Sequence, residues 1–228
     1  LWTVEEGRAE VLASYRTAIA LLADYEGHLF TSGGAVTYRW VEEDDPQLFR
    51  AIRRAVQAGR WCLVNGWWLQ PDCNMPHGES FARHSLYGQR YLQHALGRRA
   101  RVGYNVDSFG HANTLPQLLR LGGLEEYVFF RPGPHEKALP DGPFWWEAPG
   151  GARVLACRPP LHYCSPEDTD IAARVVAAAA QAPEGLPVVM CFYGVGNHGG
   201  GPTRCNVEAL LEMARAGGPI QPIFSSPE

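Results

Sequence analysis

Helix-like and strand-like segments alternate along almost the whole chain, and that order constrains the fold more than any other feature. Residues 4–25 place Val4, Val11, Leu12, Tyr15, Ile19 and Leu22 at helical spacing, and residues 28–31 follow as a short strand. Asp45 before Pro46 marks a helix start, because the carboxylate can cap open amides and proline fits the first turn. Leu48, Phe49, Ile52 and Val56 continue on one face until Gly59 stops the helix. Residues 61–64 read as a strand leading into an aromatic loop, and 80–96 as a helix closed by Gly97. Next come a strand over 101–106, a short helix over 114–121, strands over 126–130 and 153–158, and an alanine-rich helix over 168–180. The continuous apolar run 188–193 reads as a buried strand, and 206–216 as a helix capped by Asn206. With six or seven strands so spaced, the pattern predicts a single α/β domain over residues 1–228. Its parallel sheet is expected to form a barrel-like β/α domain, either seven-stranded or an incomplete barrel.

At 228 residues and 46% hydrophobic content, the chain can bury one substantial core. The net charge is −4 with both signs interspersed, and Lys137 is the only lysine, so no basic surface for nucleic acid is implied. No apolar run approaches the roughly 18 residues of a membrane span, and no signal peptide is visible. The sequence opens on Leu1 with a helix close behind, which leads us to expect a fragment truncated at both ends. Cys62, Cys73, Cys157, Cys164, Cys191 and Cys205 form no C-x-x-C pair, and three of them fall in apolar runs. That usage fits buried, reduced thiols in a cytoplasmic protein better than a cysteine zinc site.

The unusual polar sequence falls after the strands ending near Val64, Val106, Phe130 and Tyr193. In a parallel barrel such segments meet at the carboxyl-terminal face, where active sites are built. Asp107 is the central candidate. A carboxylate there can attack a sugar's anomeric carbon, ligate a metal, or cap the next helix. Thr114 is better placed for the cap, and Phe109 offers an apolar ring beside a polar centre. Arg131, at the end of the following strand, would hold a neighbouring carboxylate ionised, which a nucleophile or ligand requires.

Asp107-Ser108-Phe109-Gly110-His111, followed by the Leu115–Leu119 helix start, resembles the nucleophile segment of the glycoside hydrolase family 38 α-mannosidases. The segments 66–80, 87–90, 130–136, 144–147 and 194–203 resemble that family in the same order along the chain, most closely its bacterial and cytoplasmic-type members. The resemblance implies zinc-dependent hydrolysis of terminal α-mannosides with retention, through a covalent glycosyl-enzyme intermediate. Asp107 would be nucleophile and metal ligand, with Phe109, Arg131 and Trp67 binding substrate. The substrate would be a mannose-containing oligosaccharide or glycoside, and the full-length enzyme could form a homo-oligomer. The family's other zinc ligands have no counterpart between Leu1 and Glu228. Zinc needs roughly three or four ligands, so this chain alone is expected to bind it weakly and to show negligible activity.

His198 stands where some relatives carry an acidic residue. It is the candidate acid/base, although a histidine in such a loop can equally bind hydroxyls or bridge loops. Gly199–Gly201 would let backbone approach a sugar, or simply form a tight bend. His111 is expected to brace the nucleophile loop. His77 and His135 are possible lining residues, and His28, His84, His94 and His162 read as structural or solvent-exposed. Trp67 and Trp68 are both able to stack on a sugar, but alternation sends one of them to the core. Asp72 and Glu79 read as loop-bracing or capping acids. Two other functions stay open: a non-catalytic carbohydrate-binding remnant, and a polysaccharide deacetylase-like metal hydrolase. The latter would need a histidine pair at i, i+4 near an aspartate, and the sequence has none.

Overall fold

The computed structural model describes residues 3–196 and 200–228, which divide into two compact units. One comprises residues 1–30 and 159–225, and the other residues 31–158 with the last three.

The first unit is helical. Helix α1 (Val4–Asp24) opens with a reciprocal capping box, in which the Thr3 hydroxyl accepts from the Glu6 amide and the Glu6 carboxylate accepts from the Thr3 amide. Helices α6 (Ile171–Ala179) and α7 (Arg204–Ala216) pack on each other. The cap of α7 is Thr203, not Asn206: Asn206 lies three residues inside and completes a second capping box from there. The 188–193 run forms no strand. Arg174 takes the Phe192 carbonyl at 2.9 Å, and Val188 is 70% exposed, so neither ladder pairing nor full burial is realised.

The second unit positions the candidate site. It holds α2 (Ala35–Asp44), α3 (Pro46–Gln57), β2 (Trp61–Val64), α4 (Gly78–Leu96), β3 (Val102–Asn105), α5 (Leu115–Leu121), β4 (Glu126–Phe129), β5 (Pro143–Glu147) and β6 (Arg153–Cys157). Strand β1 (Phe30–Gly33) pairs with β2. Asp45 caps α3 by accepting from the Leu48 amide at 2.9 Å, and Gly97 ends α4 in the left-handed conformation that a side chain would strain. Leu48, Phe49, Ile52 and Val56 form the buried stripe of α3, as their spacing requires.

The other strands form a four-stranded sheet in the order β3-β4-β6-β5. β3, β4 and β6 run parallel, with Tyr104 opposite Val128 and Tyr127 opposite Ala156. β5 is antiparallel to β6. Only Ala148–Ala152 joins them, closed by Ala148–Ala152 and Gly151–Ala148 hydrogen bonds, and so short a link permits a hairpin but not a parallel crossover. The fold is therefore α/β, but among the described residues the strands make two sheets. They do not make the closed or nearly closed parallel barrel anticipated from the alternation.

Candidate active site

Asp107 lies two residues beyond β3, and Arg131 two residues beyond β4. Because β3 and β4 are parallel neighbours, both side chains emerge at the same edge of the sheet. The Arg131 Nε–H donates to Asp107 Oδ1 at 2.8 Å. The Asp107 side chain is 50% exposed and that of Arg131 27%. An ion pair this open adds little to stability, on the order of 0–1 kcal/mol. Its consequence is orientation: Oδ1 is held by the arginine, while Oδ2 has no hydrogen-bond partner among the described residues. The guanidinium also lies over the Phe109 ring, 4.7 Å from its centroid. Phe109 is 71% exposed, so a broad apolar ring stands open beside a half-open carboxylate. That combination suits a sugar, which offers an apolar face and a polar edge.

Beneath this pair lies a buried polar layer. The His111 ring meets the Arg131 carbonyl through Nε2 at 2.8 Å and the Tyr127 hydroxyl through Nδ1 at 3.1 Å. Tyr127 lies 3.8 Å from the Cys73 thiol, and Asn105 Nδ2 donates to Cys73 Sγ at 3.0 Å and to the Pro71 carbonyl at 2.7 Å. Gln70 donates to Asn105 Oδ1 at 3.0 Å. The Cys73 amide donates to Ser108 Oγ at 2.9 Å, and its carbonyl accepts from the Ala112 amide, also at 2.9 Å. The loop after β2 and the Asp107 loop are thus stitched together on both sides of Phe109. Asp72 braces the first of them by accepting from the Asn74 and Met75 amides, each at 2.8 Å, and those bonds hold its carboxyl below the usual range.

Asp107, Phe109 and Arg131 are brought together as anticipated, and His111 does brace their loop. Trp67 is a correction. It is fully buried, with its ring edge-on to Phe81 at 5.8 Å, and so cannot stack on a substrate. Trp68 is only partly exposed and stands edge-on to Tyr91 at 5.8 Å. Thr114 occupies the cap position of α5 but makes no side-chain capping bond. His77 caps α4 through Nδ1, and Glu79 pairs with Arg83 one turn on at 2.9 Å. His198 lies outside the described residues. On either side of it, the Val195 amide donates to the Gly201 carbonyl at 2.8 Å. At Gly200, φ is +128° and a Cβ would stand 2.6 Å from the Val195 carbonyl oxygen, so glycine is required there. Tyr127, Cys73, Asn105 and Gln70 were not anticipated as site-supporting residues. The one available signal was a polar Asn105 at the end of an otherwise apolar strand.

Burial pushes His111 below the ordinary imidazole value, against the raising effects of the Arg131 carbonyl and Asp72, and burial lowers His84 as well. Both are native groups that resist a proton the unfolded chain accepts. Their contribution to stability is complete above the unfolded value of about 6.5 and is lost as pH falls from there through the lower folded values. The urea midpoint should therefore fall between about pH 7 and pH 5, and His111→Gln should flatten that fall. An unchanged slope in the variant would remove His111 as a source.

For zinc, the described residues supply too little. Among them no group of three or more His, Cys, Asp or Glu side chains is placed to hold a metal, and zinc takes about three or four protein ligands. Among the described residues, no helix is long and apolar enough to cross a membrane.

Residues 1–227 match the family described as glycosyl hydrolases family 38 N-terminal domain. The chain is 30% identical to alpha-mannosidase G of Dictyostelium discoideum over 100% of its own length and 21% of that protein's. It is 28% identical to an alpha-mannosidase of Saccharomyces cerevisiae over 94% of its length and 20% of that protein's. It thus spans about a fifth of the length of these curated relatives. The crystal structure of an alpha-mannosidase from Enterococcus faecalis V583 superposes with a TM-score of 0.79 over 95% of this chain and 25% of that one. At 21% sequence identity, that superposition speaks for the fold alone.

Proposed function

This chain belongs to glycosyl hydrolase family 38, and on that premise we propose that it forms part of the catalytic domain of a retaining α-mannosidase. The substrates would be terminal α-mannosides of oligosaccharides or small glycosides. One observation carries the reading: a half-exposed carboxylate, Asp107, has one oxygen held at 2.8 Å by Arg131 and an exposed aromatic ring, Phe109, alongside. In the reaction, Asp107 Oδ2 attacks the anomeric carbon as the bond to the leaving oxygen breaks, and that oxygen takes a proton from an acid. Water, deprotonated by the same group, then releases mannose with its original configuration. Arg131 keeps Asp107 aimed, and Phe109 supports the sugar's apolar face.

We assign the acid/base to His198. A substrate with a good leaving group needs little protonation, so His198→Ala should spare activated aryl mannosides. It should slow poorly activated ones on the order of a hundredfold, with the pH profile altered. Equal losses on both substrates with an unaltered profile would place His198 among binding or structural residues.

Zinc belongs to the family reading, with Asp107 as the ligand this chain would offer. When bound, a metal there would polarise substrate hydroxyls. Because the described residues do not build a zinc centre, no step above depends on it. Six free cysteines support a reducing, cytoplasmic setting.

The direct test uses the full-length protein that carries this chain. Turnover of an aryl α-mannoside, with α-mannose as the first product seen by NMR, supports the reading. Binding without turnover points to a carbohydrate-binding protein, and β-mannose as first product rejects retention.

A further inference from the structure

We propose that His111 is the positioning residue for the Arg131–Asp107 pair, acting as a neutral imidazole protonated on Nε2, with the Arg131 carbonyl and the Tyr127 hydroxyl fixing that tautomer. The role rests on the reading of Asp107 as the nucleophile; the tautomer does not.

Proton accounting leaves one arrangement. The Arg131 carbonyl can only accept, so at 2.8 Å the His111 Nε2 must carry hydrogen. In the neutral ring Nδ1 is then a lone pair, and the Tyr127 hydroxyl 3.1 Å away must donate to it. With its single proton so committed, Tyr127 can offer the Cys73 thiol only an acceptor, at 3.8 Å. The sulfur in turn accepts from Asn105 Nδ2 at 3.0 Å, and Asn105 Oδ1 accepts from Gln70. The Cys73 thiol has a second acceptor in the Pro71 carbonyl, also at 3.8 Å, so the fixed direction is that of the Tyr127 and His111 donors, toward the Arg131 carbonyl.

The ring cannot easily leave that orientation. It stands edge-on to Tyr127 at 5.6 Å, Phe129 at 5.3 Å and Trp146 at 6.0 Å. Burial disfavours its charged form, and burial likewise raises Tyr127 and Cys73, so all three groups stay neutral near pH 7.

What His111 holds is backbone. Arg131 reaches Asp107 through Nε at 2.8 Å and lies over the Phe109 ring, and the point from which that side chain reaches is set by its own main chain. His111 fixes it by bonding the carbonyl of the residue whose side chain aims the carboxylate. The Asp107 loop that carries His111 is closed separately by the Cys73 main chain, whose amide donates to Ser108 Oγ and whose carbonyl accepts from the Ala112 amide. His111 meets no reacting atom, so its effect should appear in kcat and not in substrate binding.

The experiment combines kinetics on the full-length protein with nitrogen chemical shifts of 15N-histidine in this chain. His111→Phe is expected to lower kcat on an aryl α-mannoside about 10- to 100-fold with KM within about threefold. His111→Gln, whose amide N–H can reach the same carbonyl, should recover kcat to within about fivefold of the unsubstituted protein. In the unsubstituted chain, His111 should show protonated Nε2 and unprotonated Nδ1. Tyr127→Phe removes the donor to Nδ1, so it should shift the Nδ1 resonance and lower kcat several-fold.

A folded His111→Phe with kcat within about twofold would overturn the proposal, as would Gln faring no better than Phe or an Nδ1-protonated ring. If His111→Phe does not fold, Tyr127→Phe decides, and unchanged shifts with unchanged kcat overturn it. Full activity in His111→Phe beside an inactive Asp107→Asn refutes the positioning role alone. No turnover by the unsubstituted protein refutes the glycosidase reading, and the role with it.

Discussion

Asp107→Asn is expected to lower kcat on aryl α-mannosides by about a thousandfold or more, with a much smaller change in KM. The substitution keeps the shape of the side chain, and the amide oxygen can still accept the Arg131 Nε–H that now sits 2.8 Å from Oδ1. It removes the charge on the open side of the group, where Oδ2 has no partner among the described residues. A neutral amide is a poor nucleophile toward an anomeric carbon, so the first chemical step should fail while binding survives. Steady-state kinetics with a good leaving group makes the comparison cleanly, because loss of acid assistance cannot then be confused with loss of attack. A kcat within tenfold of the unsubstituted enzyme would take the nucleophile role from Asp107.

Gly88→Ala should be the most damaging single methyl group in the second unit. Gly88 lies in α4, where a Cβ would stand 2.5 Å from the Gly66 carbonyl oxygen, 2.6 Å from the Trp67 carbonyl carbon and 2.9 Å from the Trp68 amide nitrogen. All three are main-chain atoms of the loop after β2, so no side chain can swing aside. The helix cannot retreat freely either: the adjacent Gln89 bonds the Ala100 carbonyl at 2.9 Å, the Gly122 carbonyl at 3.1 Å and the Ala100 amide at 3.1 Å. Overpacking of this kind costs about 3 kcal/mol, or a fall of roughly 6–12 °C in Tm for a unit of this size. Gly78→Ala, at the first position of the same helix with nothing within 4 Å of the added carbon, is the control and should change Tm little. Thermal unfolding of the two variants side by side checks this, and equal Tm values would mean that the loop yields.

What the sequence revealed depended on whether the cause was local. The cap and proline of α3 and the left-handed Gly97 after α4 are short-range chemistry, and both stood where the sequence placed them. Helix α2 was missed because it begins at Gly34 with no side-chain cap, leaving no start signal to read. The hairpin of β5 and β6 was hidden in a family-like motif, although the five residues of Ala148–Ala152 already forbid a crossover. The 188–193 run looked like a strand because apolarity alone does not say whether a neighbour is present to pair with it. Within the site, Asp107 and Arg131 were legible because each follows a strand, and parallel pairing then brings them to one edge. Trp67 was misjudged because sequence gave no means of choosing which of two adjacent tryptophans faces inward. Tyr127 and Cys73 carried no signal in the sequence, since their role exists only once residues 73, 105, 111 and 127 are close in space.

Trapping the glycosyl-enzyme tests the central assignment most directly. A fluorinated α-mannosyl fluoride slows breakdown of the covalent intermediate more than its formation, so the labelled protein can be digested and its peptides read by mass spectrometry. The label should fall on Asp107, within the peptide that carries Ser108 and Phe109. A label on any other carboxylate, in an enzyme that still turns over α-mannosides, would contradict it.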